Sequence, residues 1–312
     1  MRKHTLLFLM VLVSLLISGC RKDNQPEVKD EPFDKNITAI AIHDNNIWVG
    51  TSHNGLYQFD GESWTVHTHS DGMVCDTITA LAADSNGAVW VGTNMGISKL
   101  ENQNWISWSA SEGLFNNDIR AMDCDQLNNV WIGTRNNRLV KFDGSNFSNY
   151  HINPTASGPG ELGHIHTITH DQAGNIWLGS CISGLSMFDG TSWFDLINGL
   201  SVFVFSSICD PEGNIWIGHL SGAYKFSDNT WTNFSETDGL ISNSVFCLAA
   251  DQLNNIWIGT NAGLSKFDGE TWTSFTTSNG LIDNNIKALA CDQEGNIWIG
   301  TPTGLTILEK TW

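Results

Sequence analysis

An all-β ring, a seven-bladed β-propeller of four-stranded blades, is the architecture predicted by this sequence of 312 residues. Three observations predict it. The pattern [Ile/Val]-Trp-[Ile/Val/Leu]-Gly recurs with Trp at 48, 90, 131, 177, 216, 257 and 298, at intervals of 42, 41, 46, 39, 41 and 41. A period of this size marks stacked supersecondary units that bury their apolar faces against one another. Second, short apolar runs alternate with turn residues inside each unit, and no stretch carries a helical period. Third, Ile297-Trp298-Ile299 is apolar on both sheet faces, as a strand must be when neighbouring sheets cover both.

The elements of one unit follow in order. A run such as Ile78–Ala83 makes the first strand, bounded by Asp84. A tight turn of Asp, Asn and Gly, residues that tolerate positive φ, leads into the Trp strand. The Gly that ends this strand leaves room for close approach of an adjacent backbone. Thr260-Asn261-Ala262-Gly263 then turns into Leu264–Phe267, and Asp268-Gly269 makes a hairpin into a fourth strand opened by Trp272. Seven aromatic wedges give a ring of inter-blade packing, each burying about 150–250 Å². Closure removes the sheet edges that invite aggregation. The chain stops at Trp312, where other copies begin their fourth strand, so blade seven is expected to lack one. By the same spacing residues 24–29 offer a strand for that gap, although Pro26 and the local charges are poor strand material.

Ahead of the ring, Arg2 and Lys3 precede an apolar stretch from Leu6 to Ile17, too short to span a bilayer, and then Ser18-Gly19-Cys20. This is the layout of a secretory signal peptide. Ile17-Ser18-Gly19-Cys20 resembles the bacterial lipobox, which implies cleavage after residue 19 and a lipid on Cys20. The expected organisation is a lipoprotein signal peptide over 1–19, a lipidated N-terminus and tether over 20–34, and the propeller over 35–312. Arg21 stands where an Asp would resemble an inner-membrane retention signal, and Arg21-Lys22-Asp23 is similar to surface-export tethers of some Gram-negative lipoproteins. The implied address is the outer membrane, through the lipid, facing the periplasm or the cell surface.

With 33 Asp and Glu against 15 Lys and Arg, the formal charge is −18, and loss of Arg2 and Lys3 deepens it to −20. Such a molecule repels phosphate backbones, so nucleic acid is excluded as a partner. At 41% hydrophobic residues the chain is too apolar to stay disordered. Apart from Cys20, six cysteines remain; Cys124, Cys209 and Cys291 share one repeat position with Ala83 and Ala250, which suits small buried thiols, and no disulfide is assigned.

The stretches Asp171–Gly190, Asp210–Phe226, Asp251–Gly269 and Asp292–Leu305 share Asp-x-x-Gly-Asn-Ile-Trp-Ile-Gly-Thr-x-x-Gly-Leu-x-x-Phe-Asp-Gly, complete or with substitutions. This resembles the two-component regulator propeller repeat; the Trp-Asp pairs of WD40 repeats are absent. The resemblance implies a periplasmic ligand-binding sensor region, many of which detect polysaccharide fragments. Such regions usually carry two propellers, a β-sandwich, a transmembrane helix and a kinase. None of these additions is visible in the sequence, so a binding role without its own output domain is expected.

Catalytic patterns such as Gly-x-Ser-x-Gly, His-Glu-x-x-His and the phosphate loop are absent. Gly158-Pro159-Gly160-Glu161-Leu162-Gly163 matches G-x-G-x-x-G, yet it contains a proline and leads to a strand, so it reads as a loop. His164, His166 and His170 are expected on one strand face, with His164 and His166 close enough to share a metal and His151 or His219 as a third ligand. Histidines without a metal are the preferred reading, and no cofactor is implied. Five residues before the turn Asp the copies carry Thr79, Arg120, His166, Phe205, Phe246 and Lys287, a variation that buried framework does not show. Nearby turns add Arg135, Arg138, Cys181 and His219, and the long connection Tyr150–Gly163 is expected to overhang the same face.

A ligand site is therefore expected at a channel mouth, built from Arg120, Arg135, His166, His219 and Lys287 with Phe205 and Phe246. Local positive charge there suits a carboxylated or phosphorylated ligand, an acidic glycan among them. Two alternatives stand beside this carbohydrate-binding role. One is an envelope scaffold for protein partners. The other is a metal-dependent enzyme similar to the streptogramin lyases, also seven-bladed, for which His166, His219 and Glu161 are the nearest raw materials.

Overall fold

The computed structural model describes residues 36–136, 138–151, 164–181, 184–195 and 203–310. Each blade is an antiparallel sheet in chain order, its first strand innermost. The first strands are Ile37–His43, Ile78–Ala83, Ile119–Cys124, Ile165–His170, Ser206–Cys209, Val245–Ala250 and Ala288–Cys291. They touch one another in sequence, and the seventh touches the first, so the ring is closed. Six blades have four strands and the seventh has three among the described residues, ending with Gly304–Leu308. The signal peptide, Cys20, the tether and the candidate closing strand 24–29 lie outside the described residues, as does most of the connection between blades three and four.

The second strands explain the repeat. Their burial is complete along Val89–Thr93, Val130–Thr134, Ile176–Ser180, Ile215–His219, Ile256–Thr260 and Ile297–Thr301. In blades two to seven the indole N–H donates to the carboxylate six residues earlier, from Trp90 to Asp84 at 3.1 Å through to Trp298 to Asp292 at 2.8 Å. The other oxygen of the same aspartate accepts backbone N–H groups of the turn, as Asp251 does from Leu253 and Asn255. One carboxylate thus closes the hairpin and satisfies a buried indole donor, which would otherwise cost about 1–3 kcal/mol.

The glycine after each Trp makes room for a side chain rather than for backbone. A Cβ on Gly133 would sit 2.7 Å from Cγ2 of Ile165, and one on Gly300 would sit 2.5 Å from Cγ2 of Ile37. Equivalent encounters await Gly50 with Ile78, Gly92 with Ile119, Gly179 with Val204, Gly218 with Val245 and Gly259 with Ile286. A β-branched residue of the next blade therefore fills every glycine notch around the ring.

Four of the inter-blade connections contain single 3-10 turns that the repeat pattern does not announce: His69–Asp71, Ala110–Glu112, Glu236–Asp238 and Thr277–Asn279. Each has a reciprocal capping box, for example Ser109 with Glu112, and a glycine in the left-handed region, such as Gly113 at φ 109°. A polar side chain seven residues on ties the turn to the next blade, as Asn117 does by accepting from the N–H of Ala110.

Candidate functional site

The variable position found by comparing the repeats is a β-bulge. In blades one, two, three, four and six the first strand shifts register around Thr38, Thr79, Arg120, His166 and Phe246, each of which is skipped in the pairing. In blades five and seven Phe205 and Lys287 hold the same place, their N–H groups donating to the carbonyls of Gly218 and Gly300. A bulge re-aims the extra residue and leaves its side chain outside the regular alternation. That is why this position escapes the packing rule and varies between copies.

Successive bulge residues meet across the blade boundaries. Lys287 places its ammonium 4.6 Å from the ring centre of Phe246. Phe246 meets Phe205 edge-on at 5.5 Å, Phe205 meets His166 at 5.8 Å, and His166 meets His164 edge-on at 5.6 Å. Phe203, 48% exposed, stacks on Phe205 at 6.1 Å. Arg120 is near enough to His166 to help burial and His164 push the imidazole below its usual range. Five blades thus build one arc of cation, imidazole, two phenyl rings and cation. Blades one and two contribute Thr38, which donates to the Ile78 carbonyl, and Thr79.

Two expectations need correction, and the cations have a counter-charge: Asp118 takes Arg120 at 2.8 Å and Arg135 at 3.5 Å. The arc carries two guanidiniums against one carboxylate at one end and Lys287 at the other. His219 does not join it: the ring is buried, its Nδ1 accepts from the Ser221 N–H at 2.9 Å, and it packs against Tyr224. Burial pushes this imidazole down as well. The three histidines of blade four do not share a face, since the bulge at His166 breaks the two-residue alternation. His170 instead pairs with Asp123 of blade three at 2.7 Å, and that hydrogen bond raises its pKa. Among the described residues no group of three His, Cys, Asp or Glu is placed to hold a metal. His151 has no described side chain, and Glu161 lies outside the described residues.

Phe203, His164 and Asp118 complete the arc. Asp118 was legible in principle, as an acidic residue just before the first strand of the blade that carries Arg120. Cys124, Cys209 and Cys291 are half-buried rather than buried, and burial still pushes the Cys291 thiol up to about 12.

The family model described as "Two component regulator propeller" matches residues 72–95, 113–136, 239–262 and 280–303. Each match begins at the glycine that ends a 3-10 connection, and the blades that carry the arc's histidines and Phe205 fall between the matches. No curated protein matches the chain. Among solved structures, the extracellular domain of the hybrid two component system BT4673 from B. thetaiotaomicron is 20% identical with a TM-score of 0.74. The match covers 91% of this chain and 40% of that one, so this chain spans about two fifths of that domain's length. PorZ, an essential surface component of the type-IX secretion system of Porphyromonas gingivalis, is 18% identical with a TM-score of 0.73, covering 91% of this chain and 48% of its own. A catalytically inactive virginiamycin B lyase from Staphylococcus aureus, solved with quinupristin, is 12% identical with a TM-score of 0.73, covering 91% and 97%. At these identities the likeness is one of fold.

Proposed function

We propose that this chain, built from two-component regulator propeller repeats, is an envelope-exposed binding module of sensor type that captures an acidic ligand at the bulge arc. An acidic glycan is the ligand class favoured. The observation that carries the reading is the contiguity of Arg120, His166, Phe205, Phe246 and Lys287, five variable residues brought into one arc by five blades. Phenyl faces suit the apolar face of a sugar ring, and the cations at the two ends suit carboxylate or sulfate groups. The similarity to an extracellular two component domain supports a sensor role. An outer-membrane anchor through Cys20 belongs to the same reading, and no helix among the described residues is long and apolar enough to cross a membrane.

The test is thermal unfolding and calorimetric titration of the full chain against a panel of uronate-containing and sulfated oligosaccharides, with neutral ones as comparison. A ligand at 100 times its dissociation constant stabilises the fold by about 2.7 kcal/mol. The variant Arg120→Ala with Lys287→Ala is expected to lose at least tenfold in affinity for an acidic glycan and to keep its melting temperature within a few degrees. Unchanged affinity in that variant removes the arc as the site.

A further inference from the structure

We infer a second binding site, for an alkylammonium group, in the groove between blades one and two. It stands apart from the bulge arc, which draws anions.

The repeats themselves supply the template. In blades two, three, five and six the residue paired across from the Trp is a lysine, and its ammonium lies over the indole. The distances to the ring centre are 5.2 Å for Lys99 over Trp90, 5.3 Å for Lys141 over Trp131, 5.6 Å for Lys225 over Trp216 and 5.4 Å for Lys266 over Trp257. Four indoles in this molecule thus accept an ammonium ion from their own blade. Blades four and seven carry apolar residues at that place, Met187 and Ile307. In blade one the paired residue is Gln58. Two further departures occur in the same blade. The turn before Trp48 is one residue shorter, so His43 stands where the other copies place the aspartate that binds the indole N–H. His67 stands where blades two, three, five and six put Trp108, Tyr150, Phe234 and Phe275 against the Trp ring.

At this junction there is a groove of about 740 Å³, lined by Trp48, Trp105, His67 and Gln58 together with Asp60 and Asp71. Trp48 and Trp105 flank the His67 ring at 5.9 and 5.7 Å, and the Gln58 side-chain carbonyl accepts from Nε2 of His67 at 3.1 Å. Both carboxylates stay ionised, since the N–H groups of Ser63 and Glu62 hold Asp60 down and the Thr68 N–H and hydroxyl hold Asp71 down. No lysine or arginine is among the lining residues. Indole rings, two carboxylates and no competing cation, at the one place where a polar residue replaces the internal lysine, assign an alkylammonium ion as the ligand.

The experiment uses the full chain with ¹⁵N-labelled tryptophan, the Trp48 and Trp105 indole signals being identified with Trp48→Phe and Trp105→Phe. n-Butylammonium chloride is titrated, with sodium chloride and glucose in parallel. A saturable shift of the Trp48 and Trp105 signals with butylammonium alone is expected. Gln58→Lys restores the internal ammonium and weakens binding at least tenfold, while the other indole signals stay in place; Gln58→Glu adds a carboxylate and strengthens it several-fold. The proposal is overturned by the absence of a saturable shift, by an equal shift with glucose, or by unchanged binding in Gln58→Lys.

Discussion

Gly133 shows how a single absent methyl sets the geometry of a blade boundary. Its backbone is ordinary strand, so its identity is fixed by space alone: Cγ2 and Cβ of Ile165 lie 2.7 and 2.8 Å from where a Cβ would stand. The obstructing atoms belong to a β-branched side chain that is itself fully buried, with few rotamers to retreat into. Gly133→Ala is therefore expected to cost about 1–3 kcal/mol through overpacking. Chemical denaturation measures this, and the double variant with Ile165→Ala, which removes the obstructing Cγ2, should cost less than the sum of the two single changes. Strict additivity of the two changes would show that the notch and the side chain do not meet. The same residue-scale logic marks out the bulge position, where no neighbour imposes a size and Thr, Arg, His, Phe and Lys are all accommodated.

At the scale of elements, the 3-10 connections and hairpin turns make the ring sensitive to acid. The side chains of Ser109 and Ser111 and the Ser109 N–H hold Glu112 at about 2, and the Thr271 hydroxyl and N–H hold Asp268 at about 2. Asp71, Asp143, Asp189 and Asp238 are lowered by turn N–H groups in the same manner. A carboxyl whose folded pKa lies below its unfolded one stabilises the fold above the unfolded value, and that contribution fades as pH falls towards the folded value. The melting temperature is accordingly expected to fall between about pH 4.5 and 2, and Glu112→Ala should flatten part of that fall. A profile unchanged by that substitution would remove the capping box as a source. These elements also show what the sequence made legible. Strands, turn aspartates and blade boundaries were readable because seven copies repeat one set of packing demands. The bulge residues were readable because they alone escape those demands. The reach of Asp118 to Arg135 was not, because it crosses from the connection before one strand to the turn after the next, and periodicity says nothing of such contacts. Nor was the turning of His219 towards Ser221 and Tyr224, since a histidine in a turn can face either way until its neighbours are placed.

For the whole molecule the decisive feature is the seam between blades seven and one, which a chain of stacked units needs if it is to have no ends. Ile37 is 1% exposed and fills the notch at Gly300, while the Asn36 N–H donates to the Pro302 carbonyl at 2.9 Å. Around it Ile47, Val49 and Tyr57 of blade one pack with Ala288, Trp298, Leu305 and Ile307 of blade seven. Phe59 and Trp64 bring their rings to 6.0 and 6.4 Å from Trp298, so blade one covers an indole whose own blade has three strands among the described residues. In an open array of repeats, weakening one terminal interface would fray that end and leave distant units unchanged. In a closed ring every blade has two neighbours, so loss of one interface removes the closure on which all the others rely. Ile37→Ala is expected to cost about 2–5 kcal/mol. Its signature should be a loss of native-state hydrogen-exchange protection in blade four, at Ile168 and Leu178 on the far side of the ring, equal to the loss in blade one. Confinement of the effect to blades one and seven would mean that the seam opens by itself, and that the seven blades behave as a stack closed only by contact.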